Sequence, residues 1–204
     1  MSHVLTVLGH PSPTSFNAAL AEAYVKGAAG TGATSELLCL GELRFDPVLH
    51  GGYRGEQPLE PDLQRLREAI ERAAHVAWVF PVWWGAPPAL LKGAIDRTFL
   101  PGWAFENQPS GLPKKLLRGR SARTLVTMDA PGWFDRLVYG RSARRAFETA
   151  TLAYTGFSPV RSTVFAKVRA STEARRAAWL AKAEALGARD AARAPKRALV
   201  ATAA

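Results

Sequence analysis

The sequence predicts an α/β fold: a five-stranded, parallel, doubly wound sheet with helices on both faces. Three observations carry this. Apolar runs of strand length alternate five times with segments of helical period, the pattern of a parallel sheet. The run from His75 to Val82 is almost wholly apolar, as a strand covered on both faces must be. The chain has 204 residues, enough for one such domain.

Residues 3–8 form the first buried strand, ending at Gly9. The segment Gly9-His10-Pro11-Ser12-Pro13-Thr14-Ser15 is a loop by composition, and Ser15 is a good N-cap for a helix from Phe16 to about Ala28. Thr34–Leu40 reads as a second strand. Residues 41–60 hold Gly and Pro without a period and read as a long surface loop. Pro61 opens a helix to about Ala74, and His75–Val82 is the third strand. Pro87 and Pro88 precede a helix over Ala89–Phe99. Residues 101–120 read as a loop, with Lys114-Lys115 near a short helical turn. Ala122–Met128 is the fourth strand, Ser142–Tyr154 a helix, and Val160–Val168 the fifth strand. Ser171 is the expected cap of a last helix to about Ala185. The domain is expected to span 1–190, with 191–204 a loose tail.

Composition narrows the function classes. Hydrophobic residues make up 48% and charged residues 22%, which excludes wholesale disorder. One cysteine, Cys39, excludes a disulfide framework and any multi-cysteine metal site. It sits in the second strand and reads as a small buried hydrophobe. No apolar run approaches the roughly 20 residues of a membrane span, and the N-terminal run is too short for a signal peptide. A soluble, cytoplasmic protein is the expectation. The net charge of +10 is lopsided: residues 1–110 carry 8 Lys/Arg against 11 Asp/Glu, and residues 111–204 carry 19 against 6. A basic surface or an anionic cofactor explains this better than nucleic acid, for which no reading motif is present.

In a doubly wound sheet, ligands bind beyond the carboxyl ends of the strands. Three loops sit there: 9–15, 81–87 and 128–140. The first ends on a helix N-terminus, where free N–H groups and the dipole favour phosphate. His10, Ser15 and Asn17 add polar side chains, and the alternative is that Ser15 only caps the helix. Neither a Gly-x-Gly-x-x-Gly fingerprint nor a Gly-Lys-Ser/Thr P-loop is present. The second loop carries the adjacent Trp83 and Trp84, expected to diverge along an extended chain. They suit a flat heteroaromatic ligand or a subunit interface, and both roles can hold together. Lys92, Asp96 and Arg97 on the next helix read as an ion pair or surface group.

His10-Pro11 with Ser15-Phe16-Asn17, the segment from Phe80 through Gly85 to Gly93, Asp96-Arg97, Phe45-Asp46-Pro47-Val48-Leu49 and Gly102-Trp103-Ala104-Phe105 together resemble the NAD(P)H:quinone oxidoreductase family of flavodoxin-like flavoproteins. The resemblance touches residues 1–168. It implies a three-layer flavodoxin-like fold, a homodimer, and a tightly held flavin reduced by NAD(P)H. Hydride then passes by a ping-pong cycle to a quinone or another small electrophilic acceptor. His10, Ser15, Phe16 and Asn17 would hold the flavin phosphate or pyrophosphate. Pro81, Val82, Trp83, Trp84 and Gly85 would line the isoalloxazine, and the loop from Thr127, Met128 and Asp129 would close its other side. The form of the first loop resembles the FAD-binding branch, with FMN the alternative.

The third loop departs from the family. The mammalian enzymes carry Thr-Thr-Gly-Gly there, with a tyrosine and a histidine that serve flavin charge. This chain has Thr127-Met128-Asp129-Ala130-Pro131-Gly132-Trp133-Phe134, and its four histidines all lie elsewhere. Tyr139 is the one catalytic candidate, on a loose match. The departure leaves room for a second reading, a redox-sensing regulatory flavoprotein subunit with little turnover of its own.

Overall fold

The computed structural model describes residues 2–195. In chain order the elements are β1 (His3–Leu8), α1 (Phe16–Ala29), β2 (Thr34–Cys39), α2 (Pro61–Arg72), β3 (His75–Pro81), α3 (Ala89–Thr98), β4 (Phe105–Glu106), β5 (Lys114–Lys115), β6 (Ser121–Met128), α4 (Gly132–Leu137), α5 (Ser142–Arg144), β7 (Val160–Ala166) and α6 (Glu173–Arg193). The main sheet has the order β2-β1-β3-β6-β7, all parallel. Strand order reverses between β1 and β3, so the crevice for a ligand opens beyond their carboxyl ends. This is the predicted flavodoxin-like architecture.

Every residue of β3 and β6 is buried, because helices cover both faces. One apolar cluster lies under α2 and α3, with Trp78 meeting Phe99 and Phe147 edge-on. The other lies under α1 and α6. There the helix backbones nearly touch: a Cβ on Gly187 would stand 2.0 Å from the Tyr24 carbonyl oxygen. Only glycine permits that approach. Among the described residues no helix is long and apolar enough to cross a membrane.

Several expectations are corrected. Lys114 and Lys115 form no helical turn; they pair with Phe105 and Glu106 as a short antiparallel hairpin. The Lys114–Glu106 ion pair at 2.9 Å spans the two strands. Residues 132–137 of the third loop are helical, started after Pro131. The helix beginning at Ser142 widens to π geometry over Arg145–Ala153. The last helix is capped by Thr172, whose Oγ1 accepts from Arg175 N, not by Ser171. It runs to Arg193, so residues 191–193 of the expected tail are helical, and 196–204 lie outside the described residues. Ala and Arg are strong helix formers, and Asp190 and Ala191 are buried, which explains the extension.

The long segment 41–60 lies on the surface as expected, but a buried cation organises it. Arg97, fully buried, donates to the carbonyls of Asp46 (2.5 Å) and Pro58 (2.9 Å) and to the Glu60 carboxylate (2.8 and 3.0 Å). The expected ion pair is therefore real for Arg97 but not at the helix surface; Lys92 and Asp96 form the exposed one.

Buried polar groups also stitch α6 to the amino-terminal edge of the sheet. His75 Nε2 bonds the Tyr24 hydroxyl and His75 Nδ1 the Ser121 hydroxyl, both at 2.8 Å. Tyr24 in turn donates to Asp190 at 2.8 Å. Arg123 holds both Asp190 oxygens and donates to Thr163.

Candidate functional site

The first loop is an array of donors with no acidic residue. Ser15 Oγ accepts from Ala18 N at 3.2 Å and donates to the Ser12 carbonyl at 2.9 Å. The capping role expected of it is therefore present, and its hydroxyl proton is already used. The N–H groups of Phe16 and Asn17, first in α1, have no acceptor among the described residues. His10 Nδ1 lies 2.9 Å from Ser12 N and 3.2 Å from the Ser12 carbonyl; in the shorter contact Nδ1 accepts, and a neutral ring then carries its proton on Nε2. Burial lowers the His10 pKa, so the ring is neutral near pH 7 and offers that one donor.

Asn17 is buried, and its Oδ1 accepts from Thr127 Oγ1 at 3.0 Å. This bond ties the start of α1 to the end of β6 and leaves the Asn17 NH2 as the donating end. Phe16 points away from the loop. Its ring packs beside Trp179 at 6.0 Å, with the Arg176 guanidinium 5.9 Å above it.

The second loop is a tight turn rather than an extended strand. Trp83 N donates to Ala86 O at 2.9 Å and Ala86 N returns to Trp83 O at 3.0 Å. Trp84 and Gly85, the two central residues, have φ of 51° and 72°. Positive φ at both positions makes a type I′ turn, natural for Gly85 and strained for Trp84. The two indoles diverge, as expected, but because of the turn. Trp83 lies edge-on to His10 with centroids 5.5 Å apart, while Trp84 is fully exposed. The N–H groups of Trp84 and Gly85 have no acceptor among the described residues. Val82 N is taken by Thr127 O at 2.8 Å, and Gly85 O accepts from Ser142 Oγ at 2.6 Å. Pro81 closes β3 and is buried.

The third loop divides. Thr127 and Met128 are buried side chains of β6. Asp129 turns outward, and its Oδ1 accepts from Arg169 N at 2.8 Å. There it lines a shallow depression with Lys167, Arg169 and Ala170. Tyr139 is half exposed and packs edge-on against Phe134 at 5.0 Å. Exposed apolar side chains cluster along this segment: Trp133, Leu137 and Val138 beside Tyr139.

The structure thus brings together His10 with Trp83, Asn17 with Thr127, and Val82 with Thr127. It sets Phe16, Met128 and Asp129 apart from that centre. Sequence reasoning missed Ser142, which clamps the turn from 57 residues away. No local signal marks such a long-range bond.

The residues present fit an anionic, flat, heteroaromatic ligand such as a flavin. The loops offer unpaired backbone donors at two places, one neutral imidazole donor, and an indole wall. Among the described residues no group of three or more His, Cys, Asp or Glu is arranged to hold a metal ion. Cys39 is half-buried at the end of β2, and burial pushes its thiol pKa up.

Comparison with known proteins agrees with the fold. The profile of the family described as having a flavodoxin-like fold matches residues 2–188. A ribosyldihydronicotinamide dehydrogenase (quinone) of Pongo abelii is 29% identical over 144 residues, covering 61% of this chain and 62% of that enzyme. The match thus spans less than two thirds of that relative's length. A glutathione-regulated potassium-efflux system ancillary protein of Enterobacter is 39% identical over 66 residues, covering 32% of this chain and 35% of that one. The crystal structure of Smu.1420 from Streptococcus mutans UA159 superposes with a TM-score of 0.79 at 26% identity, covering 92% of this chain and 99% of that one.

Proposed function

The chain belongs to the flavodoxin-like family, and from that membership we propose that it is a flavin-dependent NAD(P)H oxidoreductase. Its electrons go to a quinone or a similar small electrophile in a ping-pong cycle. The observation that carries this reading is the type I′ turn Trp83–Ala86, set edge-on to His10. It offers the unpaired N–H groups of Trp84 and Gly85 at the mouth of a second donor array.

When bound, the flavin supplies the two-electron chemistry. The chain's residues bind and orient it. The N–H groups of Phe16 and Asn17, the Asn17 amide and His10 Nε2–H take the phosphate. The Trp83 indole and the turn backbone take the ring and its polar edge. Thr127 holds Asn17 in place, and Tyr139 borders the acceptor side. Ser15 acts through its cap, which fixes the loop. FAD is favoured over FMN because Phe16, Trp179 and Arg176 form an aromatic and cationic ledge beside the phosphate loop, suited to an adenine. The exposed Trp84, Trp133, Leu137 and Val138 favour a homodimer that covers them. The cycle needs no membrane and no nucleic acid, and a cytoplasmic setting suits it.

The test is direct. The purified protein is expected to be yellow, and heat-released flavin is identified by chromatography. NAD(P)H oxidation with a benzoquinone then measures turnover. A colourless protein that binds neither FMN nor FAD at micromolar concentration would refute the reading. The second reading, a regulatory flavoprotein subunit, is favoured by the partial likeness to the efflux-system ancillary protein. Flavin binding with negligible quinone turnover would select it.

A further inference from the structure

One hydrogen bond joins the second and third loops of the candidate site. Ser142 Oγ donates to the Gly85 carbonyl at 2.6 Å across 57 residues of sequence. The two residues also pack: a Cβ on Gly85 would stand 3.3 Å from Ser142 Oγ. Strain lies on both sides of this bond. Among the described residues three non-glycines have positive φ, and two of them flank it: Trp84 at 51°, just before Gly85, and Arg141 at 57°, just before Ser142. Left-handed residues other than glycine persist where the surroundings over-determine them.

The third-loop side is built as a fixed corner. Asp135 is buried; its carboxylate accepts from Arg144 at 3.2 Å and its carbonyl from Arg141 N at 2.8 Å. Ser142 N donates to the Tyr139 carbonyl at 3.0 Å, so its own backbone is held as well. The turn side is less bound. Trp83 and Ala86 close it with their two mutual bonds, and the Ser142 hydroxyl is the one group among the described residues that bonds the Trp84–Gly85 pair between them. A glycine at the third position of a turn also suits a form in which the residue before it has negative φ. Return of Trp84 to that form would rotate the Trp84–Gly85 peptide, turn the Gly85 N–H and pull against the bond to Ser142.

We propose that Ser142 is a positioning residue for the bound flavin: by holding the Gly85 carbonyl it keeps the Trp84–Gly85 turn in its left-handed form, and with it the aim of the Gly85 N–H. This rests on the flavin reading above. Ser142 acts through the turn rather than on the ring. It thereby makes the second loop's donor depend on the corner that Asp135, Arg141 and Arg144 build in the third. The bond is exposed to water, so its net share in binding is that of a single ordinary hydrogen bond.

The experiment measures the affinity of the full chain for FMN and for FAD, with the visible circular dichroism of the bound flavin, which reads the geometry of its surroundings. Ser142 is exposed, so Ser142→Ala keeps the fold. Its flavin affinity is expected to fall roughly fivefold, the order for one net hydrogen bond, and the dichroism band to change shape. Ser142→Thr keeps the hydroxyl and is expected to keep both. Trp84→Asn installs Asn-Gly, the pair that type I′ turns prefer; in that background Ser142→Ala is expected to cost less than about twofold. Wild-type affinity and dichroism in Ser142→Ala would overturn the proposal. So would a loss in Ser142→Thr equal to that in Ser142→Ala. An undiminished loss from Ser142→Ala in the Trp84→Asn background would overturn it too, because the hydroxyl would then act elsewhere than on the turn. Absence of flavin from the wild type, by contrast, would refute the functional reading itself.

Discussion

Acid should loosen the C-terminal helix through one histidine. His75 is fully buried at the start of β3, and burial lowers its pKa from 6.5 to about 4. The groups facing it are Tyr24 of α1, Asp190 of α6, Ser121 and Arg123 of β6, and Arg161 of β7. Asp190, 3.8 Å away, favours the charged ring, but the two arginines and the loss of solvent outweigh it. The native protein therefore holds a neutral His75, while the unfolded chain protonates near pH 6.5. Below that pH the unfolded state binds more protons, so this part of the stability is complete above 6.5 and is lost as pH falls towards 4. The gap corresponds to about 3 kcal/mol, at about 1.36 kcal/mol per pH unit. Urea unfolding at pH 7 and at pH 4, followed by far-ultraviolet circular dichroism, measures it. His75→Gln keeps a neutral polar side chain and should abolish this part of the slope, leaving the contribution of the carboxylates. Identical pH slopes in wild type and His75→Gln would refute the reasoning.

Two other perturbations have clear expected outcomes. Arg97→Met leaves the partly exposed Glu60 carboxylate and the Asp46 and Pro58 carbonyls without their buried donor, and is expected to cost about 1–3 kcal/mol; proteolysis should then cut first within 41–60. Trp84→Gly relieves the left-handed residue of the turn and should raise thermal stability by about 1 kcal/mol, while Trp83→Ala should weaken flavin retention; unchanged flavin binding in Trp83→Ala would remove the indole from the site.

The sheet was legible because burial on two faces forces long apolar runs, as in His75–Pro81 and Ser121–Met128. The first loop was legible because Ser15 has to cap α1. The Trp-Trp-Gly turn was visible only in part: its glycine signals a turn, but nothing local says that a tryptophan accepts positive φ beside it. The Arg97 and Asp190 clusters were out of reach. Each joins residues more than thirty positions apart, and a charged residue in a helix looks the same in sequence whether it faces solvent or the core. Asp190 lay beyond the expected helix end near Ala185, at the edge of a stretch whose Ala and Arg content resembles a tail, yet composition of that kind also builds helix. The clamp from Ser142 to Gly85 depends on where α4 delivers the chain, and a six-residue helix carries too few periods to be read.

The polar network around His75 lies at the amino-terminal ends of the strands, whereas the turn and the donor loop lie at the carboxyl ends. Fold maintenance and ligand chemistry are thus assigned to opposite rims of one sheet. Substitutions on the rim of the proposed site can alter what binds there without drawing on the reserve of stability held at the other. A library that varies the surface residues Trp84, Trp133, Leu137, Val138 and Tyr139 is accordingly the place to search for altered ligand preference under the proposed function, with the far rim left untouched as the scaffold's keel.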